Sequence, residues 1–169
     1  MQAEAYRRGM KSRRPVVVLG ASIVVVAALA ATYLFSGDAV SVAAPVPEAK
    51  AKGWCAKLID AVPDSVAGLE RRETDPSSPY TAAWGDTAIV LRCGVVKPAD
   101  MLNPRAAGGE IRGVRWMLEN AEDGGHRCTT ALRKAYVEVS IPAEYGDVGA
   151  LMDLADAVKK TVPEISRTG

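Results

Sequence analysis

Residues 16–35 form an uncharged and mostly apolar stretch, and the rest of the chain is arranged around it. About twenty such residues are enough for a helix to cross the hydrocarbon core of a bilayer. The pattern predicts one transmembrane helix at 16–35, with a short basic tail at 1–15 before it. After it we expect an Ala- and Pro-rich linker at 36–52 and a single extracytoplasmic domain at 53–165.

Two segments of the predicted domain repeat apolar residues at the spacing of an amphipathic helix. The first covers 54–62 and stops at Pro63, since proline cannot continue a helix. The second begins after an N-cap at Asp147 and ends before Pro163. Its predicted buried stripe consists of Val148, Leu151, Met152, Ala155, Val158 and Val162.

Between these helices the pattern changes to short runs with the two-residue alternation of strands. Glycine, proline or polar residues separate the runs, and the clearest hairpin turn is the sequence EDGG at 122–125. The run that ends at Cys93 is apolar and β-branched, so we place it in the middle of the sheet. The predicted strands are 69–73, 87–93, 111–119, 127–132 and 134–141.

The order of these elements indicates an α+β domain with two layers. We expect about three to five mostly antiparallel strands, with the N-terminal and the C-terminal helix on one face, since each helix has one apolar stripe to bury. The β-α-β alternation of a doubly wound sheet is missing, and so are the glycine motifs of nucleotide-binding loops.

The positions of the charges predict how the chain crosses the cytoplasmic membrane. Basic residues that flank a span stay in the cytoplasm, so we expect a single pass with the N-terminus inside and the domain outside. The net charge of +1 disfavours nucleic-acid binding. The basic residues before the span are Arg7, Arg8, Lys11, Arg13 and Arg14, against Glu4 alone.

A cleaved secretory signal is the alternative to a membrane anchor. Val42-Ala43-Ala44 has the small residues of a processing site. The apolar run is longer than the core of a usual signal peptide, and Pro45 follows the most plausible cut. These two details favour the anchor.

Three cysteines, Cys55, Cys93 and Cys128, lie in the part predicted to face an oxidising compartment, where disulfides persist. We prefer a bond between Cys55 and Cys93, because it would attach the first helix to the central strand. Cys128 would then be a buried free thiol. The alternatives are an intermolecular bond through Cys128 or a bond between Cys128 and Cys55.

Catalytic chemistry has little support in the sequence. His126 is the only histidine, and its position two residues from Cys128 permits a thiol-dependent enzyme, but a histidine beside a glycine pair is typical of a solvated turn. These two residues lack further partners for a metal site. Asp153 and Asp156 lie on the polar side of the last helix, as expected of a solvated face. We predict no catalytic residue, no metal and no cofactor.

The most distinctive local sequence surrounds Trp84, which stands before a Gly-Asp turn. Arg92 stands beside the predicted disulfide, and aromatic and guanidinium side chains together can form a binding surface. We take Trp84, Asp86 and Arg92 as a candidate ligand or partner surface. A core position for Trp84 and a carbonyl or carboxylate partner for Arg92 are the structural alternatives.

Several motifs together resemble a known family. They are Cys55 with Leu58 and Val62-Pro63, Ala83-Trp84-Gly85-Asp86, Val90-Leu91-Arg92-Cys93-Gly94-Val95, Val114 to Trp116, and Arg133 with Tyr136-Val137-Glu138-Val139 and Pro142. Over residues 54–162 the combination resembles an uncharacterised actinobacterial membrane-protein family, a domain of unknown function with one N-terminal span and an exported domain. The resemblance implies cysteines at the positions of Cys55 and Cys93, which supports their pairing. A cysteine at the position of Cys128 is not part of the family pattern. It implies an envelope role and no activity.

These observations favour a non-enzymatic scaffold or interaction protein of the cell envelope, whose domain contacts another envelope protein or a cell-wall component. The first alternative is a small-ligand or peptidoglycan-binding module that uses Trp84, Arg92 and the loop 98–109, and it requires those side chains to converge on a pocket. The second alternative is an enzyme in which His126, Cys128 and a carboxylate converge.

Overall fold

The computed structural model describes residues 39–146 and 148–165. The predicted tail, the predicted span and the predicted N-cap at Asp147 lie outside these residues. No helix in the described ranges is long and apolar enough to cross a membrane. In chain order the described elements are β1 (Val40–Ser41), α1 (Ala49–Ala61), β2 (Ser65–Val66), β3 (Leu69–Arg72), β4 (Thr74–Asp75), β5 (Thr81–Trp84), β6 (Ile89–Cys93), a 3-10 turn (Ala99–Leu102), β7 (Gly108–Ile111), β8 (Val114–Asn120), β9 (His126–Thr130), β10 (Val137–Ile141), a second 3-10 turn (Ala143–Tyr145) and α2 (Gly149–Thr161).

Eight of the described strands form one sheet, in the order β2-β3-β5-β6-β10-β9-β8-β7. Every neighbouring pair in this sheet is antiparallel. β6 lies between β5 and β10, which confirms the interior position predicted for the run that ends at Cys93. The predicted α+β class with a mostly antiparallel sheet is therefore confirmed. β1 and β4 pair in parallel outside this sheet.

One face of the sheet carries the hydrophobic core. Side chains alternate between the two faces along each strand, so every second residue points to this face. These residues form a single buried cluster with both helices. The two apolar helical stripes are thus buried against the same sheet face and against each other. The largest fully buried side chains of this core include Trp84, Leu58, Ile89, Leu91, Ile141, Leu151 and Leu154.

The two helices differ from the predicted ones in extent and in width of the buried stripe. α1 begins at Ala49 rather than at the predicted Trp54, because Ala49 and the residues up to Lys52 are good helix formers that continue it backwards. Val148, directly before α2, and Met152 within it are 39% and 47% exposed, so the predicted buried stripe was too wide at these two positions.

The predicted strand 111–119 was wrong in one respect, since it is divided by a tight turn. Arg112 and Gly113 have φ angles of 49° and 80°, as in the two-residue turns that suit the twist of a hairpin. β7 and β8 therefore run antiparallel on either side of this turn. The predicted number of strands was too low, because strands as short as β2 are too brief to carry an alternating pattern.

Residues 39–48, which we name the N-terminal segment, lie within the stretch predicted as a linker and contact the domain. The backbone N–H groups of Val40 and Val42 donate to the carbonyl oxygens of Glu73 and Asp75. Pro47 is buried at the other end, where a Cβ added to Gly94 would lie 2.5 Å from the proline ring. Packing against the proline thus excludes any side chain at position 94.

The predicted disulfide is present and joins Cys55 of α1 to Cys93 of β6, with the two Cα atoms 5.3 Å apart. Cys128 is a free thiol and is buried, also as predicted. The bond therefore attaches the N-terminal helix to an interior strand of the sheet.

Removal of this bond by the double substitution C55A/C93A is expected to lower the free energy of unfolding. The bond spans 38 positions of the sequence. Loss of its constraint on the unfolded chain should cost roughly 3 to 4 kcal/mol by chain entropy. Urea unfolding of both proteins measures the difference. C128A is the matched control, and a double variant as stable as C128A would contradict the prediction.

Candidate functional site

Trp84 is a core residue. It is fully buried on the helix-facing side of β5, beside Ala82, Ile89 and Leu91 of the same face. Its indole Nε1–H donates to the carbonyl oxygen of Pro63, at 3.0 Å, which satisfies its one polar group. The ring therefore fixes the end of α1 against the sheet and is not accessible to a ligand.

Arg92 lies on the opposite face of the sheet, next to Val90 and Thr81. Its Nε and Nη2 atoms donate to Oε1 of Glu138 on the adjacent strand β10, at 3.0 and 2.8 Å. The Glu138 side chain is only 9% exposed, whereas that of Arg92 is 31% exposed. Nη1 of Arg92 donates to the carbonyl oxygen of Ala43, so the arginine also attaches the N-terminal segment.

Asp86 is the third residue of the predicted surface and lies at the turn between β5 and β6, where its side chain is almost fully exposed. It forms an ion pair with Arg72 of β3. The structure does not bring Trp84, Asp86 and Arg92 together. The first is in the core, the second is at a turn, and the third is in an ion pair on the other sheet face.

Cys128 and His126 lie on β9, on the helix-facing side, with Cys128 opposite Val139 and Leu118. Burial raises the pKa of the Cys128 thiol to about 11, because a thiolate would lose its hydration there. The thiol is thus protonated and buried at neutral pH, which is the opposite of an activated nucleophile. Nδ1 of His126 is buried without a hydrogen-bond partner among the described residues.

The loop 98–109, proposed from the sequence as part of a ligand module, lines a shallow cavity of about 410 Å³. Met101 and Asn103 contribute from the loop, and Arg115 and Met117 contribute from β8. Neither Trp84 nor Arg92 lines this cavity. The loop and the predicted ligand residues therefore belong to different parts of the domain.

A second cavity, of about 390 Å³, lies where three chain segments meet. These are the turn between β7 and β8, the connection between β9 and β10, and the residues that follow α2. Arg133 is only 6% exposed and lines this cavity together with Arg115, Glu110 and Glu164. We name this space the Arg133 cavity. It is partly open to solvent and is lined by four charged side chains.

The guanidinium of Arg133 is held by two backbone carbonyl groups. Nη1 donates to the oxygen of Val162 at 3.0 Å, and Nη2 donates to the oxygen of Gly113 at 3.1 Å. Arg133 and Glu164 also form an isolated antiparallel bridge between their backbones. Arg133 thereby links the end of α2 to the β7–β8 hairpin.

The sequence reasoning missed Glu138, Arg133 and Arg115. Alternation along the predicted strand 134–141 puts Glu138 on the polar side, and its burial follows from the pairing of β6 with β10, which places it beside Arg92 and which no local pattern reports. Arg133 was part of the family pattern without a role. Its cavity is built from segments far apart in the sequence, which no local pattern reports.

Comparison with family models assigns the chain to a protein family. The model described as protein of unknown function (DUF3515) matches residues 14–166. The chain belongs to the DUF3515 family. The match begins before the apolar stretch at 16–35, so it includes this stretch as well as the domain. The predicted resemblance to a domain of unknown function is confirmed, and DUF3515 brings no activity. No curated protein and no solved structure matches the chain significantly.

Loss of Arg92 is expected to destabilise the domain more than loss of Glu138. R92M leaves a buried carboxylate whose next cation, Nε of Arg127, is 4.0 Å away, whereas E138Q leaves an arginine that water can reach. We expect about 3 kcal/mol for R92M and about 1 to 2 kcal/mol for E138Q, measured by urea unfolding. R127Q is the control, with a cost below about 0.5 kcal/mol. Equal costs for R92M and E138Q would contradict this asymmetry.

Cys128 is expected to make stability depend on alkaline pH. The pKa of its thiol is higher in the folded than in the unfolded chain, so unfolding releases a proton as the pH rises. The stabilisation is complete below about pH 8.5, the pKa of an unfolded thiol, and is lost progressively toward pH 11. The difference in unfolding free energy between the native chain and C128A should therefore shrink over this range. Parallel curves for the two proteins would count against it.

Proposed function

We propose that this DUF3515 protein is anchored in the cytoplasmic membrane by one N-terminal span and acts outside the cytoplasm as a non-enzymatic binding domain. Its partner would be another envelope protein or a cell-wall component. The observation that carries the proposal is the disulfide between Cys55 and Cys93, which lies in the middle of the core. Such structural bonds form and persist in oxidising compartments and are rare in a reducing cytosol.

The N-terminal sequence supports the same location. The uncharged stretch at 16–35 has the length of a span, and the basic residues of the tail at 1–15 favour an inside N-terminus. Residue 39 is already in the described domain, and the N-terminal segment that follows is attached to it by backbone hydrogen bonds. Cleavage of a signal after Ala44 would remove Val40 and Val42, whose backbone N–H groups bond to the domain. An uncleaved anchor therefore fits this arrangement better.

The burial and pairing of the reactive side chains support a binding role over catalysis. Cys128 packs in the core as a neutral thiol, and burial raises its pKa to about 11. Glu138 is engaged by Arg92, which also holds the N-terminal segment. Cys128 is thus unreactive at neutral pH, and Arg92 is used in holding the domain together.

The small-ligand alternative in its original form has lost its support, because Trp84 and Arg92 lie on opposite faces of the sheet. The residues that converge on a concave space are instead those of the Arg133 cavity. A ligand-binding role is therefore favoured at that cavity and not at the predicted surface.

Cysteine labelling in intact cells tests the topology. In a C128A background, S77C places a thiol on an exposed loop residue of the domain, and S12C places one in the tail. We expect a membrane-impermeant maleimide to label S77C in intact cells and S12C only after permeabilisation. Both labelled chains should have the same mass.

Three outcomes would contradict the proposal. Labelling of S12C in intact cells would reverse the orientation, and protection of S77C until permeabilisation would place the domain inside. A mature chain that lacks the S12C label would indicate cleavage of the N-terminal segment. The C128A chain without an added cysteine measures the background of each reaction.

A further inference from the structure

We propose that the Arg133 cavity binds a small zwitterion, an amino acid or a short peptide, whose carboxylate contacts Arg133 and whose ammonium group lies at the carboxylates of the rim. This inference concerns the domain alone and does not depend on the membrane topology proposed above.

The first argument is the uncompensated charge of Arg133. A guanidinium has five N–H donors, and two of them are used by the carbonyl oxygens of Val162 and Gly113. These acceptors are neutral, so they orient the group without balancing its charge. Among the described residues no carboxylate oxygen lies within 4.0 Å of it. Buried arginines are ordinarily paired with an anion, and an anion entering the cavity would supply that pair.

The second argument is the way the backbone places Arg133. Leu132 has a φ of 59°, in the left-handed region that a leucine rarely adopts, at a cost of order 1 kcal/mol. This conformation reverses the chain after β9, just before Arg133. The carbonyl oxygen of Leu132 accepts the backbone N–H of Ile165, at 2.8 Å, and this hydrogen bond attaches the residue to the segment that follows α2. Local strain beside a buried cation is typical of a functional site.

The third argument is the distribution of the other charges. Arg115 is exposed on β8 and brings a second guanidinium to the cavity. Glu110 and Glu164 are also exposed and line the same space. A cation at the floor and carboxylates near solvent match a ligand that carries both charges. The same two carboxylates repel a phosphate, which would bring two negative charges to the site.

The fourth argument is size. The cavity volume of about 390 Å³ lies at the lower end of the range of ligand pockets, roughly 300 to 1,000 Å³. It suits an amino acid or a dipeptide and is too small for a folded segment of a partner protein. The occupant is therefore a small molecule or the end of a peptide.

Titration of the full-length chain in detergent tests the site, with alanylalanine as the probe and isothermal titration calorimetry as the measurement. We expect saturable binding with one site per chain. N-acetylalanylalanine lacks the ammonium group and alanylalanine amide lacks the carboxylate, and each should bind about tenfold more weakly or worse, because a charge-assisted hydrogen bond contributes at least that factor. Inorganic phosphate should not compete.

Variants assign the binding to this cavity. R115Q is expected to weaken alanylalanine about tenfold, and E110Q/E164Q should abolish the preference for alanylalanine over its N-acetyl form. These rim residues are exposed and hold no other element, so the variants should fold. K57Q on α1 and E122Q at the β8–β9 turn each remove one charge, positive and negative respectively, from an exposed residue that does not line the cavity, and they should leave binding unchanged.

Arg133 itself also stabilises the fold through its carbonyl partners, so R133K is tested with a thermal melt beside the titration. Loss of binding in a folded R133K is expected. Absence of saturable binding to alanylalanine would overturn the proposal, and so would equal binding to native chain and R115Q. Competition by phosphate at low concentration would contradict the preference for a zwitterion and would show that the cavity binds a simple anion. None of these results depends on the labelling pattern of S77C and S12C.

Discussion

The bond between Cys55 and Cys93 is the constraint on which the two-layer arrangement depends. It joins the N-terminal helix to β6, a strand with neighbours on both sides, so the helix cannot leave the sheet without breaking a covalent bond. Trp84 reinforces this contact from β5 by donating to the carbonyl oxygen that follows the helix. α2 then covers the remaining apolar surface of the same face, and the core becomes one continuous cluster.

The opposite face of the sheet carries an ion pair beside a few buried apolar side chains, among them Ala83 and Met117. The ion pair between Arg92 and Glu138 lies across two neighbouring strands, and Arg92 also donates to the carbonyl oxygen of Ala43 in the N-terminal segment. A mostly buried carboxylate is stable there because the guanidinium gives it two hydrogen bonds. The N-terminal segment is thus held by hydrogen bonds to Arg92 and to the backbone of Glu73 and Asp75, and by the buried side chains of Val42 and Pro47.

The candidate binding cavity lies away from both of these features. The Arg133 cavity lies beyond the ends of the strands, where two strand connections and the C-terminal residues meet. Connections tolerate unusual backbone angles and exposed charges better than packed strands do, and binding groups in proteins are therefore often carried by loops on a rigid scaffold. The disulfide and the core supply the scaffold, and Leu132, Arg133 and the hairpin turn at Gly113 supply the candidate site.

The pattern of apolar residues by itself determined the α+β class, the interior position of β6, both helices and the turn at 122–125. It did so because burial of one helical stripe or one strand face leaves a local period in the sequence. The cysteine positions together with the family resemblance also determined the disulfide. Membership in DUF3515 is consistent with these elements and adds no chemistry to them.

Only the tertiary structure decided which side chains meet. Trp84 and Arg92 are close in sequence and sit on neighbouring strands, yet strand parity puts them on opposite faces. Arg92 and Glu138 are far apart in sequence and form a close ion pair, because β10 inserts beside β6. The Arg133 cavity likewise joins residues 110–115, 131–133 and 164–165. Local periodicity reports the environment of each residue, but the order of strands in a sheet depends on contacts between distant segments, and those contacts place the candidate site.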